Sequence, residues 1–218
     1  MRNRWFIALA AIGLHISIGS VYAWSVLTRP IMADMGFTLS QTTWTFSLAI
    51  LMLGLSAGFL GSFAEKIGPK KSGLLAMLFW VTGLLGTAYA LSIHNLTLLY
   101  LFYGIIGGIG LGIGYITPVS TLVKYFPNRP GFATGLAIMG FGFASLIAGP
   151  LMQYLVAQVG LVDTFIILGV IYLVIMGASS LYLKAPQQKH STRTTKDKST
   201  MYVHNHGMLA NDAMKTWQ

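Results

Sequence analysis

The feature that most constrains this chain is where its charge is missing. No Asp, Glu, Lys or Arg occurs from Trp5 to Thr28, from Met35 to Ala64, from Ser72 to Val123, or between Pro130 and Asp163. A helix needs about 20 apolar residues to cross roughly 30 Å of hydrocarbon, and each interval supplies at least that. The interval from Ser72 to Val123 is long enough for two crossings, and the polar pair His94-Asn95 at its middle divides it. A water-soluble domain devotes about a quarter of its residues to charge; this chain has 9% charged and 55% apolar residues.

The pattern predicts an all-α integral membrane bundle of six helices within residues 1–183, with spans near 5–27, 42–64, 72–92, 96–118, 132–157 and 164–183. Strands are excluded, because an open sheet in lipid leaves its edge hydrogen bonds unmade, and these runs do not alternate as the strands of a membrane barrel do. Arg2 and Arg4 precede the first apolar run as in a signal peptide, but the run is longer than a signal core, so a retained span is expected. Residues 28–41 read as an external loop. Ser40 and Thr43 are candidate caps for the second span and Asp163 for the sixth, and Pro127-Asn128-Arg129-Pro130 is a stiff break before the fifth.

Sorting the 14 Lys and Arg residues gives the orientation. With the N-terminus inside, Arg2, Arg4, Lys66, Lys70, Lys71, Lys124, Arg129, Lys184, Lys189, Arg193, Lys196, Lys198 and Lys215 fall on one side and Arg29 alone on the other. That bias predicts a multi-pass plasma membrane protein with both termini cytoplasmic. Residues 184–218 read as a basic cytoplasmic tail, with anionic-lipid contact the lesser alternative. The net charge of +9 thus points to topology, and nucleic acid is not an expected partner; the lipid bilayer is. Cysteine is absent, which removes disulfides and thiolate metal sites. No metalloprotease motif, carboxylate pair or nucleophile triad lies in the spans, so neither an enzyme nor a cofactor is expected.

Gly104, Gly108 and Gly112 recur every four residues and share a helix face that admits another backbone closely. The pairs Gly54/Gly58 and Gly131/Gly135 have the same spacing and invite the same reading, and such smooth faces suit either static packing or rocking between two packings. Pro118 and the pair Gly149-Pro150 are candidate kinks or hinges. His15 is the exceptional ionisable group of the first span and shares an azimuth with Gly19 and Tyr22. It can serve as a packing hydrogen bond or in proton exchange or substrate contact. Tyr22 and Trp24 are candidates for an interfacial aromatic belt. Tyr115 combines an apolar wall with one hydroxyl donor, which suits a small carboxylate.

The stretch Gly61-Ser62-Phe63-Ala64-Glu65-Lys66-Ile67-Gly68-Pro69-Lys70-Lys71 resembles the cytoplasmic signature G-x-L-a-D-r-x-G-r-k-x of the major facilitator superfamily. Gly61, Glu65, Lys66, Gly68 and Lys70 fill its turn, acidic and basic positions. Asn3-Arg4-Trp5-Phe6, Tyr22-Ala23-Trp24-Ser25 and Tyr125-Phe126-Pro127-Asn128-Arg129-Pro130-Gly131 are more closely similar to the oxalate/formate antiporter family. The resemblance implies the N-terminal six-helix half of a twelve-span secondary transporter that moves small organic anions by alternating access. It implies that Tyr22 and Tyr115, with His15 behind them, border the substrate cavity, and that Glu65 pairs with Lys66, Lys124 or Arg129 in a gating latch. Val21 and Ile50 stand where the oxalate carrier has glutamines, which favours a monocarboxylate such as lactate, pyruvate or formate over oxalate. The fourth-span arginine motif would put Arg at Gly104, so that proton-linked arginine is missing. The expected partner is a separately encoded C-terminal half or a second copy; the alternative is a truncated, non-transporting membrane partner or remnant.

Overall fold

The computed structural model describes residues 3–186. Most of the predicted tail, residues 187–218, lies outside them. Among the described residues every regular element is helical, and five helical stretches are long and apolar enough to cross a membrane.

The first comprises α1 (Arg4–Gly19), a 3-10 turn (Ser20–Ala23) and α2 (Trp24–Met35). The Asn3 side chain caps its start by accepting from the Trp5 amide at 3.0 Å. The helix does not stop at Thr28, as the expected external loop required. It continues through Pro30 to Met35 and ends on Gly36, at φ 69°. Residues 28–35 carry Arg29 and Asp34 and read as loop by composition, yet their backbone bonds are made within the helix, as a segment emerging from lipid still requires. The second span, α3 (Leu39–Ile67), is capped by Thr38 and not by Ser40 or Thr43: Thr38 and Gln41 form a reciprocal capping box.

Gly68, at φ 84°, turns α3 into α4 (Pro69–Ser92), with Pro69 in the first helical turn where its missing N–H costs nothing. The fourth span starts at α5 (Leu96–Leu99), passes through a π-helical segment at Tyr100–Gly107 and continues as α6 (Gly108–Tyr125). It does not end at Pro118. That residue lies inside α6, and the helix runs on to Tyr125.

The fifth and sixth spans are α7 (Pro130–Gly142) and α8 (Ala144–Tyr182), which meet at Phe143. Straight, the 39 residues of α8 would extend about 58 Å, nearly twice the hydrocarbon thickness. Gly160, at φ 83° and ψ 178°, breaks the helical path. Before it, Gly140 faces Ile12 and Gly149 faces Val26; after it, Gly169 faces Leu84 and Leu85, and Ser179 faces Gly13. The chain therefore runs up beside the first span and back down beside it, so five helical stretches make six crossings. The reversal falls at Gly160, and Asp163 sits in the first turn after it, where a carboxylate still favours the helix N-terminus. Glycine is required at this φ; Asp163 is not the cap.

Charges sort to the two ends as the sequence reading requires. Arg4 stands over Phe126 and Lys124 pairs with Glu65 at one end, while Pro30, Asp34, Gly160 and Asp163 share a surface depression at the other. Between them Trp24, Trp80, Tyr103 and Phe165 make the buried centre, with Tyr103 4.3 Å from Trp24 and 5.6 Å from Trp80 between ring centroids. Trp24 is only 3% exposed, and its Nε1–H donates to the Thr42 carbonyl at 3.2 Å. It is a core residue, and no part of an interfacial belt. Outward faces carry Phe59, Leu146 and Leu9 well exposed; in water such surface would be unstable, whereas lipid is its natural solvent.

Candidate functional site

Three glycines fix the seat of the fourth span. A methyl placed on Gly104 would stand 2.9 Å from Leu48 Cβ, one on Gly108 2.6 Å from Met52 Cβ and 2.8 Å from the Ala49 oxygen, and one on Gly112 would overlap Ser56 and the Leu53 carbonyl. The stripe is thus filled by α3, in parallel register. Gly104, where the related motif carries Arg, faces Leu48 and Thr45 across a contact too close for a long side chain. The same spacing at Gly54/Gly58 and at Gly131/Gly135 has a different outcome: nothing lies within 4 Å of a methyl on any of the four. Among the described residues nothing packs closely against those faces.

With α3 and α6 locked together, the first, fourth and fifth spans meet along a second seam that gathers the three predicted cavity residues. His15 is fully buried. Its Nδ1 lies 2.6 Å from the Ala137 carbonyl oxygen of α7 and its Nε2 3.0 Å from that of Tyr115 in α6. Both partners only accept, so a doubly protonated ring satisfies both and a neutral ring satisfies one. The imidazole stacks on Tyr115 at 5.6 Å, interplanar angle 21°. Phe141 joins the group from the fifth span, 5.2 Å from Tyr115, 5.2 Å from Tyr22 and 5.7 Å from His15.

Gly19 admits this approach, because a methyl there would collide with the Phe141 carbonyl and stand 2.7 Å from Ala144 Cβ. Tyr22 remains 45% exposed. With Phe46, 6.3 Å away, it borders an open cavity of about 530 Å³ that also takes in Ser25, Thr28, Arg29 and Thr43. Sequence reasoning missed Phe141 and Phe46. Phe141 sits among glycines in Gly140-Phe141-Gly142-Phe143, and an aromatic flanked by small residues inside a span was the available signal. Phe46 offered none.

At the charged end, Lys124 Nζ donates to Glu65 Oε1 at 3.4 Å, with both side chains about half exposed. Of the three partners considered for Glu65, the geometry selects Lys124. Lys66 points to solvent in the last turn of α3, where a cation suits the helix end, and Lys70 is exposed at the start of α4. Arg129 is not at Glu65; it lines a separate cavity with Arg4. Gly61 lies against Ile116, a methyl there standing 2.8 Å from its Cδ1, so it lets the second and fourth spans converge just before the loop. At the proposed hinge, α8 passes through Gly149 and Pro150 without interruption, and the break is at Phe143, about two turns earlier. Among the described residues no His, Asp and Glu group is placed to hold a metal.

The arrangement is an aromatic cluster of which Tyr22 borders the cavity, at the end away from Glu65, while Tyr115 and the buried His15 belong to the cluster but lie outside the cavity's lining. The chain is 33% identical over 194 residues to an uncharacterised MFS-type transporter, YhjX, of Escherichia coli, covering 88% of this chain and 47% of that protein. It is 26% identical over 188 residues to the oxalate:formate antiporter of Oxalobacter formigenes, covering 86% of this chain and 44% of that one. With human monocarboxylate transporter 14 it shares 28% over 170 residues, 78% of this chain and 33% of the other. The chain therefore spans less than half the length of each of these relatives. The family model of the Major Facilitator Superfamily matches residues 6–216, and the chain belongs to that superfamily.

Proposed function

We propose that this chain forms one half of a secondary transporter for small organic anions, a monocarboxylate such as lactate, pyruvate or formate before oxalate, working by alternating access. The observation that carries the reading is the convergence of Tyr22, Tyr115 and His15, from two different spans, on Phe141 of a third, with Tyr22 open to a cavity of about 530 Å³. An apolar aromatic wall with a few hydroxyls is how a small site holds a carboxylate bearing a short carbon chain. Relatives named as monocarboxylate transporters and as an oxalate:formate antiporter point to the same substrate class.

Arg29, near the end of the first helix, is the cation on the lining of this cavity, and further counter-charge for the anion would come from a second six-helix bundle, a separately encoded half or a second copy. The open small-residue faces at Gly54/Gly58 and Gly131/Gly135 are suited to receive it. In the proposed orientation the end carrying Arg4, Glu65 and Lys124 is cytoplasmic and the cavity at Tyr22 faces outward across the plasma membrane. Glu65 and Lys124 then lie where a latch between inward-open and outward-open states would form.

The test is uptake of labelled lactate, pyruvate, formate and oxalate into vesicles, by the chain alone and with the C-terminal half of YhjX supplied. Saturable uptake of a monocarboxylate by the two-half form supports the proposal; no uptake of any of the four counts against it. Counterflow by the 218-residue chain alone would remove the need for a second bundle. A stable protein that binds no carboxylate in either form would favour the alternative, a non-transporting membrane partner.

A further inference from the structure

The second cavity at the charged end has no part in the reading above. It measures about 310 Å³ and is lined by Arg4, Trp5, Phe126, Asn128, Arg129 and Phe132, among others. Two arginines thus line one cavity, with no carboxylate in its lining. Among the described residues the single ion pair is Lys124–Glu65, so neither arginine is neutralised by an acid there.

The aromatic part of the lining is built for rigidity. Trp5, Phe126 and Phe132 form a closed triad of edge-on rings with centroids 5.7, 6.4 and 5.9 Å apart. Arg4 is held over the Phe126 face at 5.6 Å, a placement that orients the guanidinium without consuming its N–H donors. Arg129 is the residue from which α7 starts, so the first turn of that helix adds its positive end to the same space.

We infer that this cavity binds the phosphodiester headgroup of an anionic phospholipid. Guanidinium groups match phosphate oxygens in pairs of parallel N–H donations. The rim decides between a lipid and free phosphate: Trp5 is 55% and Phe132 47% exposed. Exposed aromatics beside unpaired cations are the composition of a membrane-water boundary, where rings sit among acyl chains and cations among headgroups. A soluble anion would leave those rings uncovered, whereas a lipid bound by its phosphate lays its chains on them. The site ties the N-terminus of the first span to the start of the fifth, so a bound lipid would brace the seam that holds His15.

The inference is tested on the purified 218-residue chain in neutral detergent, by native mass spectrometry with added phosphatidylglycerol, phosphatidylcholine or inorganic phosphate. Phosphatidylglycerol should be retained in preference to phosphatidylcholine. The double variant Arg4→Gln/Arg129→Gln should weaken that retention about thirtyfold, roughly fivefold per arginine. Arg4→Lys/Arg129→Lys should recover most of it, and Lys189→Gln/Arg193→Gln in the tail should leave it unchanged. As a control against misfolding, phosphatidylglycerol should raise the melting temperature of the unaltered chain while phosphatidylcholine does not. Equal retention by the glutamine variant, equal binding of both lipids, or displacement of the lipid by millimolar inorganic phosphate would each overturn the assignment.

Discussion

Gly108 and Gly54 belong to sequence patterns of the same form, and the structure predicts that replacing them with alanine has opposite effects. A methyl on Gly108 would stand 2.6 Å from Met52 Cβ and 2.8 Å from the Ala49 carbonyl oxygen. Ordinary contact begins near 3.4 Å, so α3 and α6 would have to part by about 0.8 Å along a face where backbone and Cβ atoms cannot rotate away. Overpacking of this kind costs roughly 1–3 kcal/mol. Around Gly54 a methyl meets nothing within 4 Å, and alanine at an unhindered helical position is favoured over glycine by up to about 1 kcal/mol. Unfolding both variants and the parent chain in one detergent, followed by circular dichroism, should separate Gly108→Ala from Gly54→Ala by roughly 1–4 kcal/mol, the sum of those two effects. Gly112→Ala should be at least as damaging as Gly108→Ala. Equal responses at Gly54 and Gly108 would refute the packing argument, because they would mean that glycine spacing alone sets stability.

Three other outcomes follow from single side chains. His15→Ala removes the bonds to the Ala137 and Tyr115 carbonyls and opens a void between three spans, a loss of about 2–4 kcal/mol by the same unfolding assay; His15→Gln, which keeps two N–H donors, should lose less than half as much. Glu65→Gln breaks an ion pair whose partners are half exposed, so stability should fall by less than about 1 kcal/mol and the difference should shrink in high salt; an effect on uptake without one on stability would mark the pair as a latch. Gly160→Ala forces an L side chain to φ 83° and should destabilise by about 1–2 kcal/mol, whereas Asp163→Ala, in a first turn, should change stability by less than about 1 kcal/mol.

The crossings themselves were legible because a charge-free run of 20 residues has few physical alternatives. Charge sorting likewise placed Arg4, Lys66 and Lys124 opposite Arg29, Asp34 and Asp163, since each wrong span would have mixed them. Ends were less legible. Residues 28–35 look like a loop because they contain Arg29, Pro30 and Asp34, but a helix leaving the hydrocarbon keeps its hydrogen bonds in the polar zone. Gly160 gave way to Asp163 as the expected start of the sixth span because a cap is sought among polar residues, whereas a sharp reversal needs positive φ. The π-helical segment at Tyr100–Gly107 left no trace in composition.

In the site, the helical azimuth brought His15 and Tyr22 to one face, and the 3-10 turn between them did not part them: both rings reach Phe141. Which glycine stripe is filled was beyond a local pattern. Gly104, Gly108 and Gly112 are occupied because α3 lies beside α6, and Gly54 and Gly58 are open because, among the described residues, no span reaches that side. Trp24 was placed at an interface by its distance along the span, yet it is buried because its face points at Tyr103 and its indole N–H finds the Thr42 carbonyl.

The reversal at Gly160 turns five helical stretches into six crossings, and the chain's lack of cysteine makes it directly testable. Single cysteines at Lys70, Asp163 and Lys184 can be treated in intact cells with a membrane-impermeant maleimide, before and after permeabilisation. Asp163→Cys should label in intact cells, and Lys70→Cys and Lys184→Cys only once the membrane is opened. Labelling of Lys184→Cys from outside together with Asp163→Cys, or of Asp163→Cys and Lys70→Cys from the same side, would contradict the six-crossing fold.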